Sequence, residues 1–298
     1  MIRRAPRLLW LACGLVLGAS IGVPCAAQEP GAQANASAAD PPRAAYHLEI
    51  DAPQALRDML LAYLDLARFQ SVGDAESITS AELDRLVAAA PAQARALLET
   101  EGYFAASVQA RRAASDAGLP RISITVTLGS RTTVAQWTLD TLGELQLLIE
   151  ANDALAQATF ENLRRTWPLQ PGAPFRQQAW AAGKNQLLAQ LRANGYPSAS
   201  WLDTDAAIDV AEASATLRTT LFSGPLFRLG ELRIEGLQRY AESSVRNVAE
   251  FKPGAEHSEQ RLLDFQERLV KTGLFEGVSV EVDPDPAHAA AAPVNVRL

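Results

Sequence analysis

The chain has almost no cysteine. Of its two, Cys13 and Cys25, both fall within the first 27 residues. Beyond them no disulfide can form, and no thiol can serve as nucleophile or metal ligand. Histidine is nearly as scarce, with His47, His257 and His288 far apart. That leaves neither a zinc site nor a Ser-His-Asp constellation its residues at workable spacing. No glycine loop fit to cradle phosphate occurs, because Gly129, Gly224 and Gly230 lack a following Lys-Ser/Thr or a second glycine in register. The acidic pairs Asp203/Asp205 and Asp283/Asp285 lack the glycine and distal glutamate of a calcium loop, so they read as solvated or turn residues. Positive charge is in deficit too, with 27 Lys and Arg against 34 Asp and Glu, which argues against a nucleic-acid surface. These absences predict no enzyme, no metal and no cofactor. Trp137, Trp167, Trp180 and Trp201 are then expected to fill cores.

Only one long apolar run exists, and it stands at the N-terminus. Arg3, Arg4 and Arg7 precede an apolar stretch from Leu8 to Val23, followed by Cys25-Ala26-Ala27. Residues 1–27 therefore read as a secretory signal peptide cleaved before Gln28. An uncleaved N-terminal anchor is the alternative, though about 16 residues is short for a spanning helix. Loss of three arginines and no acid would move the net charge from −7 to about −10. Residues 28–45, rich in Ala, Pro, Gln, Ser and Gly, read as a flexible linker.

What the chain has instead is a phrase used three times: Leu98-x-x-x-Gly102-Tyr103-Phe104, Leu191-x-x-x-Gly195-Tyr196-Pro197 and Leu269-x-x-x-Gly273-Leu274-Phe275. Each closes an amphipathic helical stretch and precedes a strand-like one. Glycine suits the residue past a helix end because it takes positive φ cheaply. Three copies roughly 80 to 90 residues apart imply a repeated domain. The spacing predicts three β-α-α-β-β modules of an α+β fold, at 46–131, 132–226 and 227–298.

In the first, the alternation Tyr46-His-Leu48-Glu-Ile50 predicts a strand and Leu56 to Leu64 a helix. Thr79 with Glu82 forms a capping box opening a second helix, which Pro91 is expected to kink or divide. Strands follow around Val108 and at Ile122–Leu128. In the second module Val134–Leu142 reads as strand, Leu145 to about Thr166 as helix, and a helix carrying Trp180, Leu187 and Leu191 ends at Gly195. Strands then run through Ile208 and Leu217–Phe222. In the third, Leu229–Gly236 is a strand, Val245 and Val248 mark a short helix, and Ser258 caps a longer one. Val278–Val282 and Val294–Leu298 are the closing strands. The short junctions from Gly129 to Val134 and from Gly224 to Leu229 leave neighbouring modules little freedom.

These features resemble the polypeptide-transport-associated (POTRA) arrays of the Omp85 superfamily. Gly230-Glu-Leu-Arg-Ile-Glu-Gly236, Phe251-Lys-Pro-Gly254, the Leu269–Phe275 phrase and Val278-Ser-Val280 carry the likeness in the third module. The copy number, with Leu48-Glu-Ile-Asp-Ala-Pro53-x-x-Leu56 and Leu64-Asp-Leu66-x-Arg68, is similar to the TamA family, outer-membrane subunits of translocation and assembly modules. The resemblance implies the periplasmic side of the cell outer membrane, with a following barrel of about 16 strands that this sequence lacks. The expectation is therefore a fragment of a longer product, with a truncated gene as the alternative, its third module cut at the last strand. The resemblance also implies a role in assembling β-barrel and autotransporter proteins, with unfolded outer-membrane clients and an inner-membrane-anchored TamB-like protein as partners.

Three-stranded sheets leave edges whose unpaired N–H and C=O groups can take up an extended segment, largely regardless of its sequence. The strands after each repeated glycine are the candidate edges, with Val108, Arg111, Val278 and Val280 as candidate client-binding residues and Gly102, Gly195 and Gly273 as structural helix stops. Their charges, Arg111 and Arg112 against Asp203 and Asp205 or Glu281 and Asp283, either guard the edges or recruit clients. A two-partner secretion or general barrel-assembly component is the alternative within the superfamily. A soluble periplasmic ligand-binding protein is the alternative outside it.

Overall fold

The computed structural model describes residues 43–44, 46–71, 78–113 and 120–298. The expected signal peptide and all of the expected linker except Arg43 and Ala44 lie outside the described residues. Those two form β1 (Arg43–Ala44), which pairs with β3 (Ile78–Thr79) in a short antiparallel ladder.

Three three-stranded sheets with adjacent helices make a mixed α+β chain of tandem modules. The first holds β2 (His47–Asp51), α1 (Gln54–Tyr63), α2 (Asp65–Ser71), α3 (Ser80–Thr100), β4 (Ser107–Ala113) and β5 (Arg121–Thr127). The last strand, β5, lies in the middle, parallel to β2 and antiparallel to β4. Parallel pairing demands a long crossover, and the helices supply it. Ile122 and Ile124 project from β5 with no exposure and meet Leu60, Leu64, Leu83 and Leu86 from the helices. Burial at alternate strand positions and at helical spacing is what the apolar pattern encodes.

The second module repeats this with β6 (Thr133–Leu142), α4 (Glu144–Glu150), α5 (Ala154–Thr166), α6 (Gln177–Ala193), β7 (Ser200–Asp209) and β8 (Ser214–Phe222), β8 central. Its core draws on four tryptophans: Trp167 and Trp180 are buried in it, and Trp137 and Trp201 pack against it part-buried. Trp137 stacks on Trp167 at 4.6 Å, and Trp180 meets Trp167 edge-on at 5.6 Å. The third module comprises β9 (Leu229–Glu235), α7 (Ser243–Arg246), α8 (Glu259–Lys271), β10 (Ser279–Val282), a 3-10 turn (Pro286–Ala291) and β11 (Ala292–Arg297). β11 is central, pairing with both β9 and β10, over a core built on Phe265 and Leu269.

Several local expectations need correction. Pro91 does not divide α3, which runs unbroken for 21 residues. The buried stripe Leu83, Leu86, Ala90, Ala94 and Leu98 holds both halves on one face, and this outweighs the missing amide. The stretch from Leu145 to Thr166 is two helices. Asn152, at φ 61°, turns the chain between them, and Asp153 restarts it by accepting the Ala156 amide at 2.8 Å. The first helix ends at Leu64 as its apolar spacing predicts, but the extended backbone there is followed by a further helix, α2, that the spacing did not predict. Ser258 occupies the N-cap position of α8, but its side chain makes no capping bond. Thr79, by contrast, accepts the Glu82 amide.

Loss of the Asp153 cap in Asp153→Ala is expected to cost about 1 kcal/mol. Urea denaturation of the two proteins side by side checks it, and an unchanged midpoint would remove the cap from the account.

Candidate functional site: sheet edges and module joints

With β5, β8 and β11 paired on both sides, the other two strands of each sheet are edges. The strands after the repeated glycines, β4, β7 and β10, are among them, and so are the first strands β2, β6 and β9. Sequence alone did not separate central from edge strands, since all alternate alike.

On β4, Val108 is half-buried and faces the core opposite Val126. Arg111 points outward and donates to the Gln109 side chain at 3.3 Å. Arg112 folds back to Asp84 and to Ser80 on α3, so only one of the two arginines is free of the helix layer. On β10, Val280 is 8% exposed and pairs with Val296. Val278 sits one residue before that strand begins and packs against the third core. It lies outside the ladder, which begins at Ser279.

The six edges are not equally open. The start of β6 is closed by a loop: the Val134 amide donates to the Ala173 carbonyl at 2.8 Å, and Gly172 donates to the Val134 carbonyl at 2.7 Å. The start of β9 is closed identically, Leu229 donating to Ala255 and Gly254 to Leu229, both at 2.7 Å. β2 instead borders a cleft of about 540 Å³ against α1, lined by Leu48, Ile50, Arg57 and Leu61. β7, ten residues long, exposes Asp203 and Asp205, which form no ion pair with any described residue. Its register shifts between Trp201 and Asp203, a bulge that interrupts any straight pairing along it.

The repeated glycines are the joints. Gly102 follows α3 at φ 89°, and the amides of Gly102 and Tyr103 turn back to the carbonyls of Glu99 and Leu98. That pair of hydrogen bonds closes the helix end. The outward carbonyl of Gly102 then accepts the Thr132 amide at 2.8 Å, and the Thr132 carbonyl accepts the Phe175 amide at 2.9 Å. A Cβ at Gly102 would lie 2.4 Å from the Phe175 carbonyl oxygen, so only glycine fits. Phe104 packs on Phe175 at 5.9 Å, and Arg131 and Arg176 share the Glu101 carboxylate at 3.6 and 3.2 Å.

The second joint repeats the backbone bonds between modules. Gly195 accepts from Phe227, and Phe227 accepts from His257, each at 2.8 Å. Its signal in the sequence is Pro171-Gly172-Ala173, echoed by Pro253-Gly254-Ala255. Gly273 ends α8 in the same conformation, at φ 66°. Nothing lies within 4 Å of where its Cβ would be, and Leu274 beside it is 39% exposed.

His257 stands where the first joint has Phe175. It is 6% exposed, and burial holds its imidazole below the ordinary value of 6.5, with the Arg192 backbone opposing the shift. Neighbouring Tyr196 is pushed up to about 12 by burial and by the negative charges of Glu144, Glu256 and Asp153, so it remains a neutral phenol. Because folding depresses the His257 pKa, the unfolded chain binds its proton first as pH falls. Stability contributed by neutral His257 is therefore full above about pH 6.5 and declines below it, toward the folded pKa. Denaturation midpoints across that window are expected to fall for the natural chain and to fall less for His257→Phe. Equal slopes would exclude this histidine as the cause.

Among the described residues no helix is long and apolar enough to cross a membrane, and no cluster of three or more His, Cys, Asp or Glu is placed to hold a metal.

No curated protein matches the chain significantly. Among solved structures, BamA POTRA domains 3 to 5 from Haemophilus influenzae align over 86% of this chain and 95% of theirs, at 18% identity and TM-score 0.42. POTRA domains 1 to 3 of the periplasmic domain of Omp85 from Anabaena align over 87% and 96%, at 17% identity and TM-score 0.32. CdiB from Escherichia coli aligns over 58% of this chain and 28% of its own, at 19% identity and TM-score 0.29. The family model POTRA, described as a surface antigen variable number repeat, matches residues 227–297. By sequence it is thus the third module, from just before β9 to the end of β11, that matches the POTRA family.

Proposed function

We propose that residues 46–298 are the periplasmic portion of an Omp85-type outer-membrane assembly factor of the TamA family. They scaffold the insertion or secretion of β-barrel and autotransporter proteins. The carrying observation is the pairing of a POTRA sequence match in the third module with the same strand order and the same glycine stop in all three. Each module offers backbone at open sheet edges, and an unfolded barrel protein is a set of future strands. Main-chain hydrogen bonds would hold such a client with little demand on its sequence. An inner-membrane-anchored TamB-like protein is the partner this reading supplies at the first module.

A photo-crosslinking residue placed at Arg111 on β4, at Asp205 on β7 or at Glu281 on β10 is expected to capture an unfolded outer-membrane protein. One placed at Glu99, on the exposed side of α3, is not. Equal capture at all four positions would overturn edge pairing. Pull-down from envelope extracts that yields neither a TamB-like protein nor outer-membrane clients would overturn the family assignment.

A further inference from the structure

The second joint contains a cleft of about 610 Å³ between α5, the end of α6 and the start of α8. Its chemistry is one-sided. α8 is 13 residues long, and the side chain at its N-cap, Ser258, leaves the first amides without a capping acceptor. Such an end carries partial positive charge. Beside it His257 is 94% shielded, and its Nδ1 has no hydrogen-bond partner. Arg165 and Arg261 line the same cleft. Arg165 donates to Asn162 at 2.6 Å and Arg261 to the Glu256 carbonyl, so each planar guanidinium, with five donors, keeps others unspent. The carboxylates of the lining are already engaged: Asp153 caps α5, and Glu256 pairs with Arg228 at 3.5 Å.

From this arrangement we propose that the cleft binds an oxyanion, a phosphate or carboxylate group, held by the first amides of α8, by His257 Nδ1 and by Arg165 and Arg261. It is independent of the assembly role proposed above. Leu148, Leu155 and Leu226 also line the cleft, and Leu155 is 60% exposed. An oxyanion carrying an apolar tail therefore fits as well as a free one.

The charged groups around the imidazole set the pH behaviour. Glu259 and Arg261 act on it from α8. Glu256 in the adjoining loop, Arg228 just before β9, Arg165 on α5 and Asp153 at its N-cap line the same cleft. Glu144 on α4 acts on neighbouring Tyr196. With the Arg192 backbone on the other side, Nδ1 offers a hydrogen to the anion once the ring is charged. Binding then takes up a proton, and affinity rises as pH falls toward the depressed pKa of the free histidine.

The test follows the three histidine resonances of the full chain by NMR. Inorganic phosphate is one probe. Vesicles of phosphatidylglycerol, compared with phosphatidylcholine, are the other. Saturating probe is expected to raise the apparent pKa of His257 by about one unit and leave His47 and His288 unmoved. The double variant R165Q/R261Q, with an unchanged amide spectrum elsewhere, is expected to bind at least about tenfold more weakly. A response to phosphate identifies a free anion, and a response only to phosphatidylglycerol vesicles identifies a headgroup. No shift with either probe overturns the proposal. So does a shift that persists undiminished in R165Q/R261Q, because surface potential alone would then explain it.

Discussion

Replacing Gly102 by alanine is expected to uncouple the first module from the second and to cost about 3 kcal/mol or more. Two terms add. An L-residue at φ 89° bears a left-handed penalty of about 1–2 kcal/mol. The new Cβ also falls 2.4 Å from the carbonyl oxygen of Phe175, a backbone atom that cannot rotate aside. Moving Phe175 breaks its bond to Thr132 and pulls its ring from Phe104. Gly195→Ala has the same φ problem but meets only the Leu226 Cδ1 at 2.6 Å, the far end of a side chain that can turn. Its cost should be smaller. Gly273→Ala meets nothing, so only the left-handed term of about 1 kcal/mol remains. Urea unfolding of the three variants, with limited proteolysis at the joints, checks the ranking. If Gly273→Ala proved as damaging as Gly102→Ala, the joints would owe nothing to close backbone approach.

Trp167→Ala should remove about 3–5 kcal/mol from the second module. The ring is 2% exposed and lies between Trp137 and Trp180, so its loss opens a cavity and ends two ring contacts. Each such contact adds about 0.5–1.5 kcal/mol to simple burial. Trp167→Phe is expected to cost much less, because the Trp167 Nε1 is buried without a partner and phenylalanine removes that unmet donor. Near-ultraviolet circular dichroism reports the stacked pair directly, and chemical denaturation reports the energy. A Trp167→Ala protein within about 1 kcal/mol of the natural chain would show that this cluster does not hold the core.

The repeat itself was legible in the chain. Alternation at Ile122 and Ile124 and the spacing Leu262, Phe265, Leu269 specify strand and helix, because side-chain direction follows backbone period within a few residues. The glycines past each helix were legible for the same local reason, as was the Thr79 cap. Less visible were the further helix after Leu64 and the break at Asn152, where apolar spacing continues across a turn that one residue makes. Pro91 misled in the other direction, since packing along the whole of α3 outweighs one missing hydrogen bond.

Of the candidate site, the chain by itself determined which strands follow the stops and which charges they carry. Only the tertiary structure decided that the last strand of each module is the central one, that the loops at Gly172 and Gly254 close the starts of β6 and β9, and that the ladder of β10 begins after Val278. It also decided that His257, a solitary histidine in the sequence, is buried in a joint where the previous copy has Phe175. The physical reason is range. Helix, strand and cap are settled among neighbours in the chain, whereas strand order, edge closure and burial depend on hydrogen bonds between residues such as Gly102 and Thr132, or Gly195 and Phe227, that meet only when the modules have folded against each other.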